Sequence, residues 1–489
     1  MFEAAEIGHK LSKEEFNARL TPLREQLITT QYQLRSAKFP VIILIAGVDR
    51  VGAHELITFM TGVFDSRYLQ VSGFGPPTQE EAERPEYWRY WRALPPAGRM
   101  GVMLGAWTMA AVVDRLDRRI GKGEFAARMQ HVRHFERSLC AEGALLLKFW
   151  LHLSPAEFKK QARRGGKHGL WKPIWMKASA VRAYQQRGMR VIEQALEQSS
   201  AEDVPWQLIE STDSHYRNLT VVETIQDEIR RRLDAPSPVP AGPSVNERAT
   251  DAHTILDTVD LTQALEKEKY EKALDRAQAR LNDLSAKAFR KGVSAVFVFE
   301  GWDAGGKGGC IRRVTAALDA TVYRVVSIAA PTEEERAHHY LWRFWRHMPR
   351  DGHFLIFDRS WYGRVLVERV EGFATRSQWQ RAYGEINEFE SQISESRTAL
   401  VKFWLHIDPD TQLARFKERE KTPFKQFKIT EEDYRNREKW HDYEIAVNEM
   451  IARTSTRHAP WTIVPARDKY FARVHVLQTI CKALEKKLS

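Results

Sequence analysis

The stretch Val293–Leu318 decides the fold, and it reads VSAVFVFE, then GWDAGGKGG, then CIRRVTAAL. The first piece is a short apolar run rich in β-branched and aromatic residues, which predicts a buried strand. The last piece has apolar residues at 311, 314 and 318, a spacing that predicts an amphipathic helix. Between them, Gly301-x-x-x-x-Gly306-Lys307 has the spacing of a phosphate-binding loop.

The residues of this loop suit an anion. Glycine lets the backbone turn tightly and aim successive N–H groups at a phosphate, and the following helix adds the positive end of its dipole. Lys307 adds a mobile positive charge. A glycine-rich turn without a ligand is the alternative, which the flanking strand and helix disfavour. The glycines predicted to bind phosphate are Gly301, Gly305, Gly306, Gly308 and Gly309.

Two positions distinguish this loop from that of a nucleotide triphosphatase. Position 308 is glycine, where those enzymes carry a Ser or Thr hydroxyl that holds Mg²⁺. Asp303 lies inside the loop, where its carboxylate would repel phosphate unless a cation bridges the two. Asp303 is therefore a candidate metal ligand or a group that orients the acceptor, and the alternative is a turn residue that bonds to its own backbone.

Size and charge limit what the chain can be. With 489 residues and a mass of 56.7 kDa, it is long enough for two or more domains with their own cores. A hydrophobic content of 43% and a mean hydropathy of −0.48 are typical of a soluble globular protein. The formal charge of +11 and a pI near 9.4 indicate an anionic partner, which on charge alone could be nucleic acid, a membrane surface or polyphosphate.

Cysteine usage and apolar runs favour a cytoplasmic location. The three cysteines at 140, 310 and 481 are far apart, which argues against a disulfide framework or a zinc site and fits a reducing compartment. The N-terminus lacks the basic start and apolar core of an export signal. The longest uncharged apolar stretch, 101–113, is too short to span a bilayer, so we expect no membrane partner.

The chain repeats one architecture. Pro77-Thr78 recurs as Pro331-Thr332, 254 positions later, and the sequence KFWLH at 148–152 recurs at 402–406 with the same spacing. Each copy alternates strand-like runs with helical stretches, which predicts an α/β fold with a parallel sheet flanked by helices. Ligands then gather at the carboxyl ends of the strands. The predicted units are two tandem domains, 1–233 and 255–489, joined by a Pro-rich linker at 234–254.

The two copies differ where chemistry is expected. Lys307 of the loop corresponds to Ala53, and Gly309 corresponds to Glu55. A loop with a glutamate and no lysine should hold a polyanion poorly. The first copy is therefore predicted to be catalytically silent and to stabilise the second copy or a dimer, or to bind part of a long substrate.

A second motif follows a predicted strand at 354–357. The strand leads into Asp358, the form of the Mg²⁺-associated acid of phosphate-loop enzymes, although an Asp after a strand is often a helix cap. The first copy has Leu104 at this position and also lacks the loop, which favours the metal interpretation. Arg359 and Arg364 follow, and guanidinium groups suit phosphate oxygens.

A long cationic stretch at 411–443 is predicted to be helical. Such a run is often a solvated helix face. Its position in a kinase-like α/β domain is that of a lid, which closes over the transferred phosphoryl group and excludes water. Trp302, Trp361 and Tyr362 could stack on a base, although aromatic residues near a sheet are more often core. The basic residues of the lid singled out here are Arg415, Arg419, Lys425 and Lys428.

These motifs together resemble the family-2 polyphosphate kinases. The tandem arrangement resembles their two-domain form, the polyphosphate:AMP phosphotransferases. The likeness covers essentially the whole chain if the first copy counts as degenerate, and the combined motifs are far more specific than the loop alone. The segments that carry the resemblance are EGWDAGGKGG at 300–309, FDRSWYGR at 357–364, FKER at 416–419, KQFK at 425–428 and WHDY at 440–443.

The resemblance implies a fold like that of thymidylate kinase, with a phosphate loop, an aspartate–arginine motif and a helical lid. It implies Mg²⁺-dependent transfer of the terminal phosphoryl group of inorganic polyphosphate to AMP, giving ADP. Asp303 and Asp358 would manage the metal and the acceptor phosphate, and Lys307 would grip the donor phosphates. The residues implied to bind phosphate or neutralise transition-state charge are Arg359, Arg364, Arg415, Arg419, Lys425 and Lys428.

Three alternatives stay open at this point. ADP as acceptor would give ATP by the same chemistry. An ATP-dependent nucleoside monophosphate kinase is disfavoured by Gly308. A polyphosphate-binding protein without turnover would need the basic surface but neither Asp303 nor Asp358. Nucleic acid is not an expected partner, because no helix-turn-helix, zinc-finger or RNA-recognition signature is found. The sequence is compatible with a homo-oligomer.

Overall fold

The computed structural model describes residues 2–160, 188–235, 254–423 and 431–489. The predicted linker at 234–254 therefore lies almost wholly outside the described residues. The chain forms two compact units. The first unit comprises Met1–Thr78, Arg89–Val239 and Thr332–Trp342, and the second comprises Gln79–Trp88, Pro240–Pro331 and Arg343–Ser489.

Each unit contains one parallel sheet of five strands. The first sheet has the order β2-β3-β1-β4-β5, with strands β1 (Val41–Gly47), β2 (Leu69–Gly73), β3 (Met100–Leu104), β4 (Leu145–His152) and β5 (Trp206–Glu210). The second has the order β7-β8-β6-β9-β10, with strands β6 (Ser294–Gly301), β7 (Tyr323–Ser327), β8 (Phe354–Asp358), β9 (Thr398–His406) and β10 (Trp461–Pro465). The predicted tandem α/β fold is confirmed.

Helices flank both sheets. Those of the first copy are Lys13–Leu34, Arg50–Val63, Gln79–Ala82, Trp88–Ala93, Trp107–Leu116, Lys122–Ala141, Met189–Ser199 and Ser214–Asp234. Those of the second copy are Lys267–Lys291, Lys307–Thr315, Glu333–Arg336, Trp342–Trp345, Val367–Val370, Arg376–Glu395, Pro409–Glu420, Glu431–Glu438, Trp440–Thr454 and Lys469–Leu488.

The central strands carry the core of each sheet. Every residue of β1 is buried, as is every residue of β6 except Gly301. A parallel strand covered by helices on both faces is expected to be a continuous apolar run, because neither face meets water. The apolar composition that predicted these strands is therefore the composition that the layered fold requires.

The strand order positions the phosphate loop. Strand β6 pairs with β8 on one side and β9 on the other. In this register Phe299 lies opposite Asp358, and Gly301 lies opposite Leu405. The connections leave the sheet in opposite directions here, which is the switch point where open parallel sheets bind ligands. The loop and the second motif therefore end at the same edge.

Among the helices that the structure describes, none has the length and apolar character needed to cross a membrane.

Candidate active site

The phosphate loop follows a backbone path that requires glycine at two positions. Gly301 has a φ of +148°, and a Cβ there would lie 2.6 Å from the Leu405 carbonyl oxygen. Gly306, directly before the helix Lys307–Thr315, has a φ of +110°. Residues with a Cβ adopt such angles rarely. The helix Lys307–Thr315 begins directly at the loop, so its positive dipole end lies there, as an anion site requires.

Lys307 folds back onto its own loop. Its Nζ donates to the Gly301 carbonyl oxygen at 2.6 Å and to that of Trp302 at 3.2 Å. Burial lowers the pKa of this amine, although the nearby carboxylates of Asp303, Asp358 and Glu300 act in the opposite direction. Phosphate oxygens are stronger partners for an ammonium than neutral carbonyls are. Lys307 can therefore turn to a bound phosphate without leaving the loop.

Asp303, a residue of the loop, contacts both the second motif and two helices of the predicted lid. Arg359 Nη2 donates to Asp303 Oδ1 at 3.1 Å, and Asn436 Nδ2 donates to Asp303 Oδ2 at 3.1 Å. Gln412 Nε2 donates to the Asp303 carbonyl oxygen at 3.1 Å. The structure thus brings together three elements whose motifs are separated by more than fifty residues in the sequence.

The loop opens onto a cavity of about 490 Å³ with a strongly cationic lining. Its acidic lining residues are Asp303, Asp358, Glu418 and Asp433. Its basic lining residues are Lys307, Arg312, Arg313, Arg359, Arg415, Arg419, Lys469 and Arg473. Cations outnumber carboxylates two to one, so the field inside this cavity favours a polyanion.

Several of these cations were missed by sequence reasoning. Arg312 and Arg313 lie three and four residues after Gly309, the last residue of the loop, and this proximity in sequence could have identified them. Lys469 and Arg473 lie one turn apart on the last helix. No sequence signal links that helix to the loop, because only the order of strands brings β10 and its following helix to this side of the sheet.

Arg415 and Arg364 are placed differently from the other predicted arginines. Arg415 is buried, and its Nη1 and Nη2 donate to the carbonyl oxygens of Ala304 at 2.8 Å and Ala466 at 2.7 Å. It therefore holds the loop backbone in place and also lines the cavity. Arg364 is buried and pairs with Glu368 at 3.2 Å, and the cavity lining that the structure describes does not include it. Lys425 and Lys428 lie outside the described residues.

A second, smaller cavity of about 80 Å³ also has Asp303 and Arg359 in its wall. Gln412 and Asn436 supply amide groups to it. Its apolar and aromatic lining residues are Trp302, Leu366, Val367, Trp404 and Tyr443. Flat apolar walls with a few amide groups suit a nucleotide base.

Only one of the three aromatic residues considered for base stacking reaches this cavity. Trp302 stacks on Trp440 with ring centroids 3.6 Å apart, and its Nε1 donates to His406 Nδ1 at 3.1 Å. Trp361 and Tyr362 are fully buried, and both donate to Glu390. Those two side chains belong to the core.

The loop of the first copy is filled by its own side chains. Arg217 is 2% exposed, pairs with Asp49 at 3.6 Å and donates to Glu55 at 2.8 Å. Asp49 also accepts from Ser211 and from the backbone of Gly52. An internal ion pair therefore occupies the space where the second copy has its cavity.

Two carboxylates of the second copy can serve a metal ion. Asp303 and Asp358 line the same cavity as the loop. Among the described residues, no group of three or more His, Cys, Asp or Glu side chains could hold a metal by itself. Two carboxylates suffice for Mg²⁺, which binds proteins through one or two of them and completes its shell with water and substrate phosphates.

The geometry agrees with a comparison against known families. The family model described as Polyphosphate kinase 2 (PPK2) matches residues 10–235 and again 264–489. The chain belongs to the polyphosphate kinase 2 family. The two matches confirm the predicted family and the tandem duplication, and they make the chain a phosphotransferase.

Several known proteins are similar to this chain over nearly its whole length. A Pseudomonas aeruginosa protein named polyphosphate:AMP phosphotransferase is 48% identical, and the alignment covers 99% of each chain. A protein of that name from Acinetobacter johnsonii is 36% identical, with 97% of each chain covered. A crystal structure from Pseudomonas aeruginosa PA01 superposes with a TM-score of 0.89 at 47% identity, covering 100% of this chain and 99% of that one.

Proposed function

We propose that this chain transfers the terminal phosphoryl group of inorganic polyphosphate to AMP, forming ADP, and that the second copy performs the reaction. The observation that carries the proposal is that the cationic cavity and the aromatic cavity share Asp303 and Arg359. A donor in one and an acceptor in the other would meet at these two side chains. The names of relatives at 48% and 45% identity over 99% of this chain support AMP as the acceptor.

The donor is best placed in the cationic cavity. Polyphosphate carries a charge on every unit, and the arginines and lysines beyond the loop can follow several units. Position 308 is an exposed glycine, so the loop lacks the hydroxyl with which nucleotide triphosphatases hold Mg²⁺. Both features favour polyphosphate over ATP as donor.

The acceptor is best placed in the aromatic cavity. Trp302 and Trp404 can hold a base by apolar contact, and Gln412 and Asn436 can bond to its edges or to the ribose. The phosphate of AMP would then lie near Arg359. This placement leaves the acceptor oxygen beside the point that the two cavities share.

The reaction needs positioning and charge stabilisation more than covalent chemistry. An AMP phosphate oxygen attacks the terminal phosphorus, the bond to the bridging oxygen breaks, and the shortened polyphosphate keeps that oxygen. Lys307 and the loop N–H groups would hold the donor, while Arg359 and Arg419 would neutralise charge on the transferred group. Arg415 would act through the loop that it braces. One phosphoanhydride replaces another, so we expect reversibility.

Asp303 and Asp358 would hold Mg²⁺ together with phosphate oxygens. When bound, the ion would neutralise phosphate charge at the reacting group. Both carboxylate oxygens of Asp303 accept a hydrogen bond in this structure, one from Arg359 and the other from Asn436. The cytoplasmic location, the homo-oligomer and the absence of a nucleic-acid partner stay predictions from the sequence.

The test is ADP formation from AMP and Mg²⁺, with long-chain polyphosphate and ATP compared as donors. We expect turnover with polyphosphate, lost in Lys307→Ala and kept in Lys269→Ala, which changes a lysine that is 72% exposed. Turnover with ATP alone would contradict polyphosphate as donor. Turnover with ADP but not AMP would contradict the acceptor.

A further inference from the structure

A buried polar pair adjoins Arg359 and has no part in the mechanism above. Ser360 Oγ donates to Glu300 Oε1 at 2.8 Å. Glu300 is 6% exposed and Ser360 is 2% exposed. Burial raises the pKa of Glu300, an effect that Lys307, Ser360 and Arg359 oppose. A carboxylate is costly to bury, so this pair needs a reason beyond packing.

The pair ties the two motifs of the site together. Glu300 directly precedes the loop, and Ser360 directly follows Arg359. Arg359 has a φ of +64°, the left-handed conformation that a residue with a side chain adopts only when its surroundings hold it there. Ser360 also accepts from the Tyr362 backbone N–H at 3.3 Å, which orients its hydroxyl toward Glu300.

The first copy provides a natural comparison at the same place. The backbone bond is present in both copies: Arg359 N–H donates to the Phe299 carbonyl oxygen at 3.1 Å, and Gly105 N–H donates to that of Ile45 at 3.0 Å. The side-chain pair is absent there, because positions 46 and 106 are both alanine. The fold therefore forms without the pair.

A second buried polar cluster, unlike the Glu300–Ser360 pair, is present in both copies. Glu390 accepts from Trp361 Nε1 at 3.0 Å and pairs with Lys402 at 2.7 Å. In the first copy, Glu136 accepts from Trp107 Nε1 at 2.8 Å and pairs with Lys148 at 2.7 Å. This cluster is present in both copies and serves the fold. The Glu300–Ser360 pair is present only where the loop and Arg359 are.

We infer that Glu300 and Ser360 are positioning residues that hold the strained backbone of Arg359, so that its guanidinium stays beside Asp303 for phosphoryl transfer. The inference rests on the proposed function. It assigns a positioning role to Glu300, which lies in the wall of the aromatic cavity, and to Ser360, which is not among the described residues that line either cavity.

The test is a double-mutant cycle between Ser360 and Arg359 in the full chain. We expect Ser360→Ala to lower kcat by about tenfold or more, and to have no further effect when Arg359 is already alanine. In the Arg359→Ala variant there is no guanidinium for Ser360 to position, so loss of the Ser360 hydroxyl should have no further effect. Equal losses in both backgrounds, accompanied by a lowered Tm, would overturn the inference and indicate a structural role.

Conservative variants distinguish loss of the hydrogen bond from general damage to the fold. Ser360→Thr keeps the hydroxyl and Glu300→Gln keeps an acceptor oxygen, so we expect both to retain more activity than Ser360→Ala and Glu300→Ala. The matched control is Glu136→Gln, a buried carboxylate of the first copy, which should lower Tm and leave the kcat of the folded protein unchanged. Wild-type kcat in both alanine variants would also overturn the inference.

Wild-type turnover of AMP with polyphosphate tests the proposed function separately. If wild type fails to turn over these substrates, the four proteins of the cycle are compared by their affinity for inorganic tripolyphosphate, measured by calorimetry. Arg359 lines the donor cavity, so Ser360→Ala should weaken binding as Arg359→Ala does, with no additional loss in the double variant. Unchanged tripolyphosphate affinity in Ser360→Ala would then overturn the inference.

Discussion

At the scale of single residues, backbone strain coincides with the chemistry. Ala304 in the loop and Arg359 in the second motif have φ values of +58° and +64°. The residue equivalent to Arg359 in the first copy is Gly105, whose φ is +66°. The first copy thus keeps the turn and has a residue that forms it without strain. We infer that the second copy retains this strain because phosphoryl transfer needs the Arg359 guanidinium at this position.

Arg359→Gly should therefore lower turnover strongly, to a measurable residual rate, without lowering stability. Removing the Cβ relieves the left-handed conformation, which we expect to raise the free energy of unfolding by about 1 kcal/mol. The lost ion pair with Asp303 offsets little of this, because the Arg359 side chain is 48% exposed. Turnover and urea unfolding measure the two effects.

Arg118→Gly is the matched control. Arg118 is an exposed residue of the first copy with a φ of +60°. We expect the same gain in stability with unchanged turnover. A lower free energy of unfolding in Arg359→Gly than in wild type would contradict the strain argument.

His406 makes stability depend on pH. Its Nδ1 accepts from Trp302 Nε1, and burial lowers its pKa to about 4 from 6.5. The unfolded chain therefore binds this proton first as the pH falls, and the folded state loses stability between pH 6.5 and 4. We expect a loss of roughly 2 kcal/mol between pH 7 and pH 5.

Urea unfolding of wild type and His406→Gln at both pH values measures this contribution. The fall in the free energy of unfolding should be smaller in the variant, which cannot take up the proton. An equal fall in the two proteins would assign the pH dependence to other groups.

At the scale of elements, the described helices of the predicted lid are connected to the loop by side-chain contacts. Gln412 on the helix Pro409–Glu420 and Asn436 on the helix Glu431–Glu438 both donate to Asp303. Trp440, which begins the next helix, stacks on Trp302 of the loop. Movement of these helices would therefore change the position of the loop residue that meets Arg359.

Trp440→Ala should uncouple the lid base from the loop. We expect kcat/KM to fall by about tenfold, while the lost aromatic pair lowers the free energy of unfolding by only about 1 kcal/mol. Trp379→Ala removes a tryptophan that packs against Arg369 instead, and should lower stability without reducing kcat/KM. Equal effects of the two substitutions on kcat/KM would show that the stack has no special role.

At the scale of the whole molecule, the two copies differ in the space beside the loop, which is a cavity in the second copy and is filled by Arg217 in the first. Asp213 and Asp468 cap equivalent helices in the two copies. Four residues later the first copy has Arg217, which fills its loop, and the second has Ala472, which lines the cationic cavity. The arginine at this helix position, together with its partners Asp49 and Glu55, distinguishes the filled space of the first copy from the cavity of the second.

Ala472→Arg should close the second loop as Arg217 closes the first. We expect tripolyphosphate binding to be lost in calorimetry, with the protein still folded, because the new guanidinium can pair with Asp303. Wild type should bind tripolyphosphate at one site per chain. Arg217→Ala should lower the free energy of unfolding by roughly 3 kcal/mol and should not create a second tripolyphosphate site. Two sites in wild type would contradict the conclusion that Arg217 fills the loop of the first copy.

Local sequence determined much of this molecule. The strands predicted for the apolar run at 293–300 and at 354–357 are β6 and β8, with bounds that differ by one residue. The glycine spacing of the loop and the acid that ends β8 were also predictable, because a buried strand, a left-handed turn and a helix start each depend on residues adjacent in the chain. Family membership followed from motifs of the same local kind.

Tertiary structure alone decided which distant residues complete the site. It brings Arg473 to the loop, turns Arg415 inward onto backbone carbonyls and stacks Trp440 on Trp302. It also buries Glu300 against Ser360 and fills the first loop with Arg217. Such contacts join residues from separate strands and helices, and the packing of the sheet sets their distances. Local sequence determines which element forms, whereas the order in which strands pair determines which side chains meet.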